Sequence, residues 1–412
     1  MTKHGAIKKG LIKKGVIQKG ILKLSLLASI IALAGCDINS DDNDEQAKES
    51  PVSGAVVQTV APDYSSSQVV LIDTETFELT EGLYVKDKSD YTINTYQSEI
   101  YHIGRLSIDT IEKYDAADIE QPIYSYSTQQ AGEEVSGNPY KIVFLNDSKA
   151  FIVRYGSDKV LIVNPQATSA ADFITGEIDI SAYITDDSIE TSPHASDAII
   201  AGGKLFVVMQ RMLSWEPQTS YLAVFDTETG EELETNADSS DSVKGIPLAG
   251  FNPKSDSLYV YDNSLYVTTE SGFSSVDLSE SKIEKVNLAD YTLTEVLNAA
   301  DIDGNTTDKI TEAVIVNNQT GYFYAGSGWP TVSALYQFNP TTGDIINTNV
   351  ASGLADDEGI SDIALDDRNQ LWISVNSTNN PGIKVYSTAD HSLVENPIST
   401  TMNPGKIGFI RK

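Results

Sequence analysis

Seven times along this chain an apolar, β-branched or aromatic run ends in a short polar residue, passes through a turn-rich stretch and leaves as a second extended run. The clearest copy is YLAVFDTETGEELE, Tyr221 to Glu234, with Asp226 closing the apolar run. The others are anchored at Asp73, Asp115, Asn164, Asp277, Asn339 and, with a hydroxyl in the same place, Ser387. Each reads as a hairpin, because an apolar run rich in β-branched and aromatic residues gives way to residues that favour turns. Successive anchors lie 42, 49, 62, 51, 62 and 48 residues apart, close to the period at which four-stranded propeller blades repeat. A repeat running from end to end makes one all-β unit of a 412-residue chain, with no internal domain boundary required.

Two further apolar runs split by a short polar turn precede the internal anchors. Examples are AIIA, Gly202-Gly203, KLFVVM and SLYVY, Asp262-Asn263, SLYVTT; the rest are YTINTY with EIYHIG, KIVFL with AFIV, AVIV with GYFYAG, and DIAL with LWISV. They supply the first two strands of six blades. Three strands at Ala55 to Val60, Gln68 to Asp73 and Phe77 to Glu81 lack a first partner, while Lys406 to Ile410 is a lone strand at the other end. One strand plus three completes a seventh blade, so the expected fold is a seven-bladed β-propeller over 55–412 whose N- and C-terminal strands pair, a closure that removes the open sheet edge. The runs LYVTTESG and AVFDTETG resemble the YVTN-type propeller repeats of bacterial surface and periplasmic proteins, a resemblance that implies fold more than function.

The N-terminal segment differs in kind. Seven lysines and no acid occur in residues 1–35, and Leu24 to Ala34 is mostly apolar, the charge-then-apolar order of an export signal. Leu33-Ala34-Gly35-Cys36 resembles the lipobox of bacterial lipoproteins. That resemblance implies cleavage before Cys36, lipidation of its sulfur and a membrane-anchored mature protein facing the periplasm or cell exterior. Asp37 resembles the signal that keeps such proteins in the inner membrane, a rule that varies, so inner versus outer membrane stays open. Residues 36–54 are acidic and almost free of apolar side chains, as expected of a disordered tether. Cys36 is the only cysteine, which excludes an internal disulfide. Beyond residue 35 the chain carries 21 basic against 59 acidic residues, a balance of −38, and a surface so acidic repels nucleic acid.

In such blades the turns joining strand 1 to 2 and strand 3 to 4 share one face, and the other connections share the opposite one. The first set is tight here and the second contains the long loops, where binding usually resides on a rigid scaffold. The insertion from Met209 to Pro217 offers Met209, Met212 and Trp215 as apolar contacts and Arg211 as a charged anchor. Trp329, Tyr155 and His194 are expected on the same face. Asp301, Asp303, Asn305 and Glu312 stand at positions 1, 3, 5 and 12 of a calcium-loop pattern, with Leu293 to Ala300 as a preceding helix, although position 6 is Thr306 where the pattern wants glycine. Catalytic signals are few. There is no Gly-x-Ser-x-Gly, and only His102, His194 and His391 follow the leader. The reading favoured is a lipid-anchored binding protein that holds a small molecule or a partner protein, as in receptor-linked uptake. A scaffold for envelope protein assembly is the alternative, and a metal-dependent propeller hydrolase or quinoprotein has least support.

Overall fold

A computed structural model of the chain describes residues 50–238, 240–273, 277–327 and 332–411. Cys36, the leader, the tether as far as residue 49 and Trp329 lie outside them. Among the described residues, strands form seven four-stranded antiparallel sheets plus one two-stranded hairpin, and the helices are short 3₁₀ turns. Taking blades in chain order, the innermost strands are Asn403–Arg411, Tyr91–Tyr96, Pro139–Asn146, Ala195–Ala201, Leu258–Tyr261, Lys309–Asn317 and Gly359–Leu365. The first of these closes blade 1. It pairs antiparallel with Val52–Val60, from Val52 opposite Arg411 to Val60 opposite Asn403.

The core lies between blades. Seven apolar clusters each join two neighbours in turn, completing the circuit. Second strands are therefore covered on both faces, which is why Lys204–Met209 and Gln370–Asn376 read as nearly continuous apolar runs. The fourth strand of blade 1, Leu79–Lys86, instead alternates in exposure. At the seam of blades 7 and 1, Trp372 is fully buried, packs against Phe77 and Phe409, and donates its indole N–H to Asp366 at 3.1 Å.

The repeat anchors owe their places to local hydrogen bonding. Asp226 Oδ1 accepts from the backbone N–H groups of Glu228 and Thr229, both at 2.9 Å, and Asp73 and Asn339 do the same at their own turns. A short side-chain acceptor thus satisfies turn donors that no strand partner can reach. In blade 5 this role falls to Asn287, which accepts from Ala289 at 2.8 Å. Asp277, the anchor expected from sequence, instead caps a 3₁₀ turn ahead of the third strand, because SSVDLSE precedes Ser281–Asn287 and does not end it. The expected helix from Leu293 to Ala300 is also replaced: Leu293–Asn298 is the fourth strand of blade 5, paired with the third through Val286 opposite Leu293.

Candidate functional site

The innermost strands share a distortion that sets the chemistry of the channel. In blades 3, 4, 6 and 7 one residue bulges out of the ladder (Tyr140, Ser196, Thr311 and Ser361), and blade 1 has a related irregularity at Gly405-Lys406. A bulge re-aims the side chain that follows it. At these places stand Lys141, Asp197, Glu312, Asp362 and Lys406, and Asp256 joins them from the connection into blade 5. Lys406 Nζ lies 2.9 Å from Asp256, 3.2 Å from Asp362 and 4.0 Å from Glu312. Lys141 Nζ lies 2.6 Å from Asp197 and 3.3 Å from Asp256.

Three of the acids also bind the next blade. Asp197 accepts the backbone N–H of Leu258, Glu312 that of Ile363, and Asp362 that of Ile407, at 3.0, 3.1 and 2.8 Å. Four carboxylates face two ammonium groups, so the cluster is short of positive charge. Asp256, between both lysines, is held down at about 2 despite its burial. Burial pushes Asp362 up to about 7 in spite of Lys406, and it raises Glu312 well above the usual carboxylate range with help from Asp362. Carboxylates so close share protons, because the low-dielectric surroundings penalise ionising all of them.

Over this cluster, on the long-loop face, opens a cleft of about 350 Å³. Its floor is Asp256, Asp362 and Lys406, and its walls include Asp90, Tyr91 and Arg105 from the approach to blade 2 and from blade 2 itself. Tyr64 stands at the rim, and Ser255 and Ala61 line the opening. The cleft thus draws polar groups from blades 1, 2, 5 and 7 to one place, the arrangement expected of a small-molecule site on a rigid scaffold.

The residues singled out from sequence occupy other positions. Met209 and Met212 are buried. Arg211 is committed to structure: Nε donates to the Tyr183 carbonyl at 2.8 Å, Nη1 to that of Thr219 at 3.0 Å, and the guanidinium lies over the Tyr221 ring at 4.8 Å. Tyr155 donates its hydroxyl to Gln210 at 2.8 Å and packs beside His194, whose Nδ1 accepts from the Met212 N–H at 3.3 Å and whose imidazole burial pushes down. The structure therefore gathers Tyr155, His194 and the base of the insertion, and leaves Trp215 at the turn of the hairpin Met212–Leu213 with Glu216–Pro217, 74% exposed. None of them lines the cleft.

The calcium-loop residues are not brought together. Glu312 lies in the channel, Asp301 ends a surface 3₁₀ turn, and Asn305 spends its amide on the carbonyls of Ala299 and Asp308. Without glycine at position 6 the segment does not coil back on itself, and it enters the innermost strand of blade 6. Among the described residues, no group of three or more His, Cys, Asp or Glu side chains is disposed to hold a metal ion. The channel charges did leave a trace in the sequence. In five blades a charged residue stands directly ahead of the first strand's apolar run, as in Asp197-Ala-Ile-Ile and Glu312-Ala-Val-Ile.

No protein-family model matches the chain, and no curated protein matches it. Solved structures do. A protein from Lactobacillus plantarum superposes with a TM-score of 0.60 at 12% identity, over 87% of this chain and 100% of that one. A Bacteroides fragilis protein provisionally named a 6-phosphogluconolactonase gives 0.55 at 13% identity, over 90% and 100%. Apo AztD from Citrobacter koseri gives 0.51 at 13% identity, over 87% and 98%. The likeness is one of fold alone. It agrees with the seven-bladed propeller of the structure, and function has to be argued from the residues of this chain.

Proposed function

We propose that the protein is a lipid-anchored binding protein of the bacterial envelope, tethered through Cys36, that receives a small polar molecule in the cleft over its channel. The observation that carries this reading is the convergence on one cleft of charged and aromatic side chains from four blades, above a buried charge cluster. Rigid inner strands hold these groups, so little ordering would oppose binding. Envelope placement rests on the lipobox-like segment before Cys36.

The test has two arms. Metabolic palmitate labelling of wild type and Cys36→Ala addresses the anchor, and equal labelling of both rejects it. For the cleft, the native protein is purified and co-purifying small molecules are identified by mass spectrometry, beside a Ser255→Trp variant whose indole fills the opening. Ser255 is exposed, so the substitution leaves the fold in place. A molecule retained equally by both proteins does not sit in the cleft.

A second reading, docking of an envelope protein, is favoured by Trp215, a large apolar side chain held out at a hairpin tip. Aromatic anchors of that kind dominate many interfaces. Loss of a captured envelope partner from Trp215→Ala, with its melting temperature unchanged, supports that reading over the first.

A further inference from the structure

Of the five arginines in the chain, four are tied to acceptors. Arg154 binds Glu133, Arg211 the two carbonyls described above, Arg368 the carbonyl of Thr74, and Arg411 that of Ser50. Arg105 differs. It leaves the second strand of blade 2, Glu99–Gly104, and its backbone N–H donates to the Asp90 carbonyl at 2.8 Å. Its guanidinium lies over the Tyr140 ring at 4.7 Å and lines the cleft, and its Nε is buried with no acceptor among the described residues. An aromatic face fixes the plane of a guanidinium without using any of its N–H donors. Such a group is preorganised for an acceptor that the protein itself does not provide.

The cleft contains a second group in the same condition. The Asp90 carboxylate lines it too and has no hydrogen-bond or ion-pair partner among the described residues. The other charges there are already engaged, since Lys406 is surrounded by Asp256, Asp362 and Glu312. A multiply charged anion would satisfy Arg105 but face three carboxylates, Asp90, Asp256 and Asp362. A cation would satisfy the acids and leave Arg105 orphaned. A neutral molecule would leave both free charges unpaired. Leaving a half-buried charged donor or acceptor unpaired is the costly outcome in each of these cases.

We infer that the cleft binds a small zwitterion of the amino-acid or short-peptide class, its carboxylate on the Arg105 guanidinium and its ammonium toward Asp90. This rests on the cleft being the binding site, as proposed above. A planar fork of donors matches a carboxylate in two parallel hydrogen bonds, and Asp90, an unpaired carboxylate of the same cleft, favours an ammonium group beside it. A volume of about 350 Å³ is at the small end for ligand sites and suits one or two residues. The exposed Tyr64 ring at the rim offers an apolar side chain a surface to cover.

The experiment is calorimetric titration of the purified protein with the dipeptide alanyl-tyrosine, with its N-acetylated form, with its C-terminal amide and with inorganic sulfate. The free dipeptide should bind at least tenfold tighter than either blocked form, and sulfate should not bind. Arg105→Ala should weaken the dipeptide at least tenfold and make it no better than the amide, and Asp90→Asn should make it no better than the N-acetylated form. Arg105→Lys, which keeps the charge but loses the fork, should fall between, and it serves in place of Arg105→Ala if that variant does not fold. Equal dipeptide binding by wild type and Arg105→Ala overturns the assignment, and sulfate binding in preference to the dipeptide overturns it in favour of a plain anion site. If no dipeptide binds at millimolar concentration but Ser255→Trp loses a co-purified molecule, the ligand class is wrong and the cleft reading stands. If that variant loses nothing either, both fall.

Discussion

Arg211 and Trp215 lie four residues apart in one loop and meet opposite surroundings. Sequence alone gave both the profile of a binding anchor, because a loop with Arg, Trp and two Met looks alike whether its side chains point in or out. The structure separates them. Arg211 closes the base of the loop through two backbone carbonyls and an aromatic face, and Trp215 touches solvent over most of its surface. Arg211→Ala is expected to cost about 1–3 kcal/mol, the penalty for leaving partly buried acceptors unpaired. Trp215→Ala should stay within about 0.5 kcal/mol, as exposed positions do. Thermal melts of both variants decide the matter, and a Trp215→Ala loss as large as that of Arg211→Ala contradicts this division of roles. Arg105 does not stand out in the sequence for a related reason. What distinguishes it is a missing partner, and partners are set by blades that meet only in the folded ring.

The recurring element is a five-residue turn rather than a single anchor residue. In blades 1, 4, 5, 6 and 7 the fourth residue after the anchor donates its N–H back to the anchor's carbonyl. That residue lies at positive φ in every case: Phe77 at 57°, Gly230 at 74°, Tyr291 at 60°, Gly343 at 79° and His391 at 60°. It also faces the preceding blade. Phe77 packs on Trp372, Tyr291 on Phe206, and His391 Nε2 is 3.0 Å from the Tyr322 hydroxyl. The turn was legible because Asp, Asn and Ser before turn residues carry a local mechanism. Its second function, stapling one blade to the next, was not, since that depends on what lies opposite. The two glycines test the distinction. A Cβ on Gly343 would lie 2.0 Å from the Val296 carbonyl oxygen, whereas on Gly230 it would meet nothing nearer than Ile178 at 3.5 Å. Both substitutions incur the roughly 1 kcal/mol of a left-handed alanine, so Gly343→Ala should be the more damaging by at least another ~1 kcal/mol in urea denaturation. Equal losses would mean that the blade contact is soft. The misplaced anchor of blade 5 has the same lesson in reverse: Asp277 does cap a turn, and local chemistry cannot tell which turn of the blade that is.

At the scale of the ring, architecture was readable to within a few residues per strand, whereas the channel was not, because side-chain direction there depends on bulges that composition does not announce. Removing residues 403–412 should lower the melting temperature by more than ten degrees or prevent folding. It strips Val52–Val60 of its inner partner and leaves Asp256, Asp362 and Glu312 without Lys406; an unchanged melt would show that the ring closes by other means. The same cluster sets a dependence on pH. Asp362 titrates at about 7 in the fold against an ordinary 3.8, so between about pH 4 and pH 7 the folded protein keeps a proton that the unfolded chain has released. Stability then falls as pH rises through that window, since the state that binds more protons loses ground when protons become scarce. Glu312, also raised, acts in the same direction. Asp256, lowered to about 2, acts in the opposite sense, contributing stability above about pH 4 that is lost below it, outside the window. Repulsion among the many surface acids has the same sign as the Asp362 effect, but those groups are fully ionised by about pH 5.5. The buried imidazoles of His102 and His194, held low by desolvation, act in the opposite sense near neutral pH, because the unfolded chain binds protons that they do not; wild type and Asp362→Asn share that contribution, so the difference between them isolates the channel. Across about pH 5.5 to 8 the melting temperature of wild type should fall more, or rise less, than that of Asp362→Asn, whatever their absolute values. Parallel curves for the two proteins would place the retained proton on a different group.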